Sequence, residues 1–138
     1  MKYFLDTNVL FDLFITEREQ HVGSNSLIKA AVRGKVHAVI SVTSVLTVLY
    51  SLRKYGLRMD MVVSRLNTLL PHLTIAQIGQ AELLSGINSG WTDLEDAVQF
   101  HAALTAGGID AIVSNDRDFK QQDMIPVITP AQAVKRLK

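Results

Sequence analysis

The sequence predicts an α/β fold of three layers, in which helices cover both faces of a mainly parallel central sheet. Short apolar runs of strand length alternate along the chain with longer segments whose apolar residues recur at helical spacing. Parallel neighbouring strands need a crossover connection of roughly a dozen residues, and the intervening helices provide it. The chain has no internal repeat, linker or low-complexity tract, so we expect residues 1–138 to form a single domain.

Four apolar segments are predicted to be strands. Lys2–Leu5 is the first, because it is apolar on both faces, as in a buried parallel strand. The others are Val36–Ile40, Asp110–Val113 and a short final strand at Pro126–Ile128. A brief apolar segment, Leu73–Ile75, separates two of the predicted helices.

Segments with apolar residues at i, i+3, i+4 and i+7 are predicted to be helices. They are Leu27–Val32, Val45–Leu52, Met59–Leu70, Ile75–Ile87 and Leu94–Ala106. Gly34, Gly56 and Gly107 stand where three of these helices end, at positions that favour a residue tolerating positive φ. Thr129 and Pro130 have the N-cap and N1 signature of a terminal helix.

The composition narrows the possible chemistry. The absence of cysteine excludes disulfides, thiolate metal sites and a cysteine nucleophile. The four histidines show no paired ligand spacing, which argues against zinc. A formal net charge of +1 is too small to hold nucleic acid by electrostatics alone, although local basic clusters such as Arg117 with Lys120 permit such contacts.

Membrane insertion and secretion are not expected. No apolar run approaches the roughly 18 residues that a membrane span needs. The N-terminus lacks the basic and apolar regions of a cleaved signal peptide. We therefore expect a cytoplasmic protein.

Acidic and polar side chains follow two predicted strands at the point where each strand ends. Asp6 and Asn8 come directly after the first strand. Ser114, Asp116 and Asp118 follow the strand that ends at residue 113. Residues just beyond the carboxyl ends of parallel strands line the ligand crevice of an open α/β sheet, so these two groups are candidates for one site.

A third acidic group, Asp93 with Glu95 and Asp96, opens the helix before the second of those strands. Mg²⁺ binds oxygen ligands and usually keeps several waters beside one or two carboxylates. Acids from separate segments that meet at one place can provide those carboxylates. The sequence therefore predicts a site for Mg²⁺ or Mn²⁺.

Each acidic group also has a purely structural interpretation. Asp6 and Asn8 can cap the helix that follows them. Thr92 and Glu95 fit the S/T-x-x-E pattern of a capping box, which does not need Asp96. The acids after the second strand lie in a polar turn, where Asp is favoured for local hydrogen bonding.

Three segments in combination resemble the PIN-domain ribonuclease family. FLDTNVLFDL from Phe4, EDAVQFHAAL from Glu95 and IVSNDRDF from Ile112 are similar to the first, third and fourth acidic motifs of that family, in the same order. VTSVLTVLYSLRK from Val42 resembles the second-motif helix. The resemblance covers essentially the whole chain and is strongest to small single-domain prokaryotic members, including the VapC-type toxins of toxin-antitoxin pairs.

The resemblance implies a PIN-like fold and a Mg²⁺- or Mn²⁺-dependent endoribonuclease. The residues that it assigns to catalysis are Asp6, Asn8, Asp96, Ser114 and Asp116. The residues that it assigns to metal binding are Asp6, Asp96 and Asp116, with Asp93 and Asp118 as further candidates. The partners that it implies are an RNA substrate, a second copy of the chain in a homodimer and a small antitoxin protein.

The second-motif helix departs from the family pattern. Most active members have an acid where this chain has Thr47–Tyr50, and the matching position is taken to be Val48. No Asp or Glu occurs between Glu19 and Asp60. Val48 also completes an apolar stripe and can simply be a core residue. The alternative to an enzyme is therefore a weakly active or inactive PIN-like domain that serves as an RNA-binding or protein-interaction module.

Overall fold

A computed structural model describes all 138 residues. The strands are β1 (Lys2–Leu5), β2 (His37–Ser41), β3 (Thr74–Ala76), β4 (Ala111–Val113) and β5 (Val127–Ile128). The helices are α1 (Thr7–Asp12), α2 (His21–Val32), α3 (Val42–Tyr55), α4 (Met59–Leu69), α5 (Gln80–Ile87), α6 (Leu94–Ala106) and α7 (Pro130–Arg136). Two short 3₁₀ helices lie at Leu70–His72 and Arg117–Gln121.

The five strands form one parallel sheet with the order β3-β2-β1-β4-β5. β1 is central, and its Tyr3 is aligned with Ala38 of β2 on one side and Ala111 of β4 on the other. Because all strands run in the same direction, their carboxyl ends lie at one edge. The predicted three-layer class with a parallel sheet is confirmed.

Two apolar clusters cover the two faces of the sheet, and β1 alternates between them. Tyr3 and Leu5 belong to the larger cluster, which includes buried residues of α1, α2, α3, α4 and α7. Phe4 belongs to the smaller one, with Phe100 of α6 and Phe119 of the second 3₁₀ helix. Full burial on both faces explains why this strand is a continuous apolar run.

Most predicted elements are confirmed, and two have the predicted bounds. β1 and α6 begin and end where the sequence places them, and α3 ends at Gly56, which has a φ of 92°. The prediction of one helix over Ile75–Ile87 is wrong. Its first two residues belong to β3, where Ile75 is aligned with Ile40 of β2, and α5 begins only after Gly79.

None of these helices is both long enough and apolar enough to span a bilayer.

Candidate metal centre

Asp6 is fixed at the carboxyl end of β1 between two segments. Its backbone N–H donates to the Val113 carbonyl of β4 at 3.0 Å. Its Oδ2 accepts a hydrogen bond from Ser114 Oγ at 2.8 Å and lies 3.5 Å from Asn8 Nδ2, which donates to it. Asp6 occupies the N-cap position of α1, but its side chain makes no capping hydrogen bond. The 2% exposed carboxylate is therefore not used as a helix cap.

The segment after β4 holds its acids in a tight turn. The Asp116 N–H donates to Ser114 Oγ at 2.9 Å, and Asp116 Oδ1 accepts from the Asp118 N–H at 2.9 Å. Asp116 thus caps the short 3₁₀ helix, as the structural interpretation of this turn anticipates, with one carboxylate oxygen. Ser114 joins this turn directly to Asp6, because its hydroxyl contacts both.

The third acidic group lies at the start of α6, and here the predicted cap is wrong. The N-cap is Asp93, whose Oδ1 accepts from the Asp96 N–H at 3.1 Å, and not Thr92. Glu95 is not held in a capping box; its Oε1 accepts from Thr7 Oγ1 at 3.3 Å, beside Asp6. Asp96 is only 7% exposed, and its Oδ2 is buried without a hydrogen-bond partner.

Four of these carboxylates converge in one group. One oxygen each from Asp93, Asp96, Asp116 and Asp118 lie within 4.8 Å of one another. Asp6 borders this group and is connected to it through Ser114. The structure therefore brings the predicted metal-binding acids, which come from three separate segments, to the same end of the sheet.

The charge in this group is not balanced by any basic side chain. The two ion pairs in the molecule, Arg18 with Asp12 and Arg58 with Asp60, involve none of these acids. Burial raises the pKa of Asp6 to about 6, against the opposing effect of the Ser114 hydrogen bond. Burial, and next the negative charge of Asp6, raise the pKa of Asp96 far above its usual range.

These features fit a divalent cation with a preference for oxygen ligands. Carboxylates crowded together repel one another, and an ion such as Mg²⁺ or Mn²⁺ would relieve that repulsion and give the buried Asp96 oxygen a partner. The donor set contains no sulfur, which makes hard cations the matching class.

The second-motif helix contributes hydroxyls to this region and no acid. Val48 is fully buried in the larger apolar cluster, so its core interpretation holds, and its side chain does not lie among the acids. Ser44 of α3 instead lies 2.8 Å from Thr7 Oγ1, and Gln99 Nε2 donates to both hydroxyls at 2.8 and 2.9 Å. The sequence analysis missed this network, although Gln99 is conspicuous between the apolar Val98 and Phe100.

Comparisons with known proteins identify the family of this chain. A family model described as "PIN domain" matches residues 2–118, and the chain belongs to the PIN-domain family. Within that family it is VapC-like: Ribonuclease VapC1 of Aquifex aeolicus (strain VF5) is 30% identical over 140 residues, which cover 98% of this chain and 94% of VapC1. The predicted family resemblance is thereby confirmed.

Solved structures share the fold at lower sequence identity. The crystal structure of VapC20 from Mycobacterium tuberculosis, described as a toxin that cleaves the sarcin-ricin loop, matches with a TM-score of 0.67 and 15% identity over 86% of this chain and 93% of VapC20. A chain of a toxin-antitoxin complex from Klebsiella pneumoniae matches with a TM-score of 0.61 and 20% identity, over 93% of this chain and 97% of the other. The predicted PIN-like fold is confirmed by these matches.

Proposed function

We propose that this protein is a Mg²⁺- or Mn²⁺-dependent endoribonuclease of the PIN-domain type and the toxin of a type II toxin-antitoxin pair. The observation that carries the proposal is the group of four carboxylates within 4.8 Å, one of which has a buried oxygen without a partner. Membership of the PIN-domain family and the 30% identity to a ribonuclease support it.

The proposed metal ligands are Asp6, Asp96 and Asp116, with Asp93 and Asp118 beside them. A divalent ion held by these residues would supply a lowered water pKa and would compensate negative charge on the phosphoryl oxygens. Ser114 keeps Asp6 oriented by donating to its Oδ2. Asn8 contacts the same oxygen and adds a neutral hydrogen-bonding group where the scissile phosphate or its attacking water would lie.

Glu95 belongs on this list although the sequence analysis assigned it to a cap. Its carboxylate accepts from Thr7 Oγ1, which also contacts Ser44 of the second-motif helix. Glu95 therefore places a carboxylate on the side of Asp6 from which α3 approaches. We propose that it compensates in part for the absence of an acid in α3.

The absence of an acid in α3 favours one competing function, a weakly active or inactive PIN-like module that binds RNA or protein. Calorimetric titration with Mn²⁺ separates the two, because a module without a metal site has no reason to bind the ion. We expect binding by the wild type and its loss in Asp96→Asn.

Ribonuclease activity is tested with single-stranded RNA in Mg²⁺ or Mn²⁺ and with the metal chelated by EDTA. Asp96→Asn preserves size but removes a ligand charge, and we expect at least about 100-fold slower cleavage, since groups that only support metal ligands are already worth roughly 10- to 100-fold. Asp123→Asn, an exposed acid outside the group, is the matched control. Unchanged cleavage by both Asp6→Asn and Asp96→Asn would end the metal-nuclease assignment.

The proposed location is the cytoplasm, and residues 1–138 are proposed to form one domain. The proposed partners are a second copy of the chain and a small antitoxin. The apolar stripes of α3 and α4 turn inward, but α3 exposes Leu46 and Tyr50, and α4 exposes Met61 and Val63. These side chains offer the contact surface for either partner.

An antitoxin can also present an Arg to the acid cluster, because the planar fork of Arg pairs bidentately with carboxylates. Light scattering checks the homodimer, and co-purification with the product of an adjacent short gene checks the antitoxin.

A further inference from the structure

A small polar pocket lies next to the acid cluster, beyond the carboxyl ends of β4 and β5. Its volume is about 190 Å³, and its lining comes from the turn after β4 and from the start of α7. Ser114 and Asp116 line it as well, so the pocket and the candidate metal centre share a wall. We call it the Gln132 pocket.

The lining carries two cations and two amides. Arg117 and Lys120 both line the pocket, and neither belongs to an ion pair. Asn115 and Gln132 contribute the amides. Gln132 Oε1 accepts from the Thr129 N–H at 2.8 Å, which fixes the amide and leaves its Nε2 as a donor. No aromatic residue is present, so a planar ligand would be read by hydrogen bonds and not by aromatic stacking.

The size of the pocket limits what it can hold. Pockets for drug-sized ligands measure roughly 300–1,000 Å³, so this one is too small for a whole nucleotide but takes its base. The phosphate of the same nucleotide would then lie outside the pocket, where Arg117 and Lys120 are exposed. Cations position nucleic acid through phosphates, whereas side-chain amides read base edges. Single-stranded RNA offers both, because its unstacked bases can be turned outward and hydrogen-bonded along their edges.

We propose that the Gln132 pocket binds the nucleotide of single-stranded RNA that flanks the scissile phosphate, with its phosphate on Arg117 and Lys120 and its base edge on Asn115 and Gln132. The proposal rests on the proposed ribonuclease function and adds to it a determinant of cleavage sequence. The pocket lies beside the acids because Asp116 belongs to both.

Gln132→Glu tests the base contact without disturbing the helix start. Glu can accept from the Thr129 N–H as Gln does, so the capping box is kept while the free Nε2 donor is lost. Gln80→Glu, on exposed α5, adds the same charge elsewhere. With EDTA present, fluorescence anisotropy of a labelled single-stranded RNA should show about tenfold weaker binding for Gln132→Glu, as for loss of one base contact, and about unchanged binding for the control.

Lys120→Gln tests the phosphate contact, with Lys29→Gln on α2 as control. A phosphate contact to a single strand contributes about 0.7 to the slope of log affinity against log salt. Lys120→Gln should lower that slope by about this amount for any RNA sequence. A slope equal to that of the wild type removes Lys120 from the proposal.

Sequencing the cleavage products of a randomised RNA pool provides the second readout. Gln132→Glu and Asn115→Ala should each alter the preference at one nucleotide position, whereas Lys120→Gln should leave it as it is. Cleavage with wild-type affinity and wild-type preference in both amide variants overturns the pocket and leaves the nuclease intact. If the wild type does not cleave RNA but Gln132→Glu and Lys120→Gln bind RNA more weakly than the wild type, the pocket stands as an RNA-binding site and the nuclease assignment fails.

Discussion

Two buried carboxylates flank the same short helix, and their surroundings differ completely. Asp12 ends α1 with 1% exposure; its Oδ1 accepts from Arg18 Nε and its Oδ2 from Ser24 Oγ, both at 2.6 Å. Asp6 precedes α1 with 2% exposure, accepts from Ser114, and has Asp116 and Glu95 as charged neighbours. One acid is neutralised by the protein itself, and the other is surrounded by further negative charge.

The difference distinguishes Asp12, a structural acid, from Asp6, an acid of the candidate functional site. A buried charge costs free energy unless it is paired and hydrogen-bonded, and this chain supplies both at Asp12. At Asp6 and Asp96 it supplies neither in full, although Arg18 lies close enough to reach Asn8 Oδ1 at 3.4 Å. Unpaired acids with raised pKa values in one group mark a candidate functional site.

The largest expected effect on stability comes from adding a further buried acid where no partner exists. Val48→Glu should lower the free energy of unfolding by about 5 kcal/mol, because the charge enters an apolar cluster without an ion or hydrogen-bond donor. Urea denaturation measures this, with Thr47→Glu at the neighbouring half-buried position as control. Stronger Mn²⁺ binding by Val48→Glu with unchanged stability would show that position 48 faces the metal centre after all.

Removing the paired acid, Asp12, should lower the free energy of unfolding by a somewhat smaller amount. Asp12→Asn takes the charge from Arg18 and one strong acceptor from Ser24, and we expect a loss of about 4 kcal/mol, as for a broken buried ion pair. Asp60→Asn is the control, because its pair with Arg58 is exposed and should contribute almost nothing. If both variants lose the same small amount, Asp12 is not the structural acid described above.

Removing an acid without an ion-pair partner should raise the free energy of unfolding, not lower it. The pKa of Asp6 is raised from 3.8 to about 6, so its ionisation destabilises the metal-free fold, and stability falls as pH rises through that range. Asp6→Asn should therefore be more stable than the wild type by about 3 kcal/mol at pH 8 in EDTA, from about 1.4 kcal/mol per pKa unit, and equal to it near pH 4.

Mn²⁺ should reverse that order at pH 8, because only the wild type gains binding free energy from the ion. Chemical denaturation at the two pH values, with and without Mn²⁺, checks both statements. If Asp6→Asn is less stable than the wild type at pH 8 in EDTA, ionisation of Asp6 does not destabilise the metal-free fold, and the prediction is wrong.

The sequence predicted the sheet and the position of the acids well, because both depend on local patterns. Apolar runs of two-faced strands identified β1 and β4, and the rule for parallel sheets placed Asp6 and Asp116 at one edge. The error over Ile75–Ile87 has a non-local cause. Three residues become an edge strand only through pairing with β2, and nothing within the segment records that partner.

Other features could not be predicted, because more than one residue fits the same role or because the partner lies far away in the sequence. Thr92 and Asp93 are both residue types that favour the N-cap position, and each stands three residues before an acid of the first helical turn. Only the folded chain shows that Asp93 is the cap. Asp12 gave a usable signal, an acid inside the apolar run from Val9 to Phe14, but its partners Arg18 and Ser24 lie beyond a loop.

The hydrogen bond between Ser114 and Asp6 joins residues that are 108 positions apart. During synthesis Asp6 emerges well before its neighbouring strand β4 and the acids of the turn, and it has neither until they follow. A nascent chain truncated before β4 thus contains Asp6 without the acids of the turn. The topology makes assembly of the acid cluster a late, long-range event in folding.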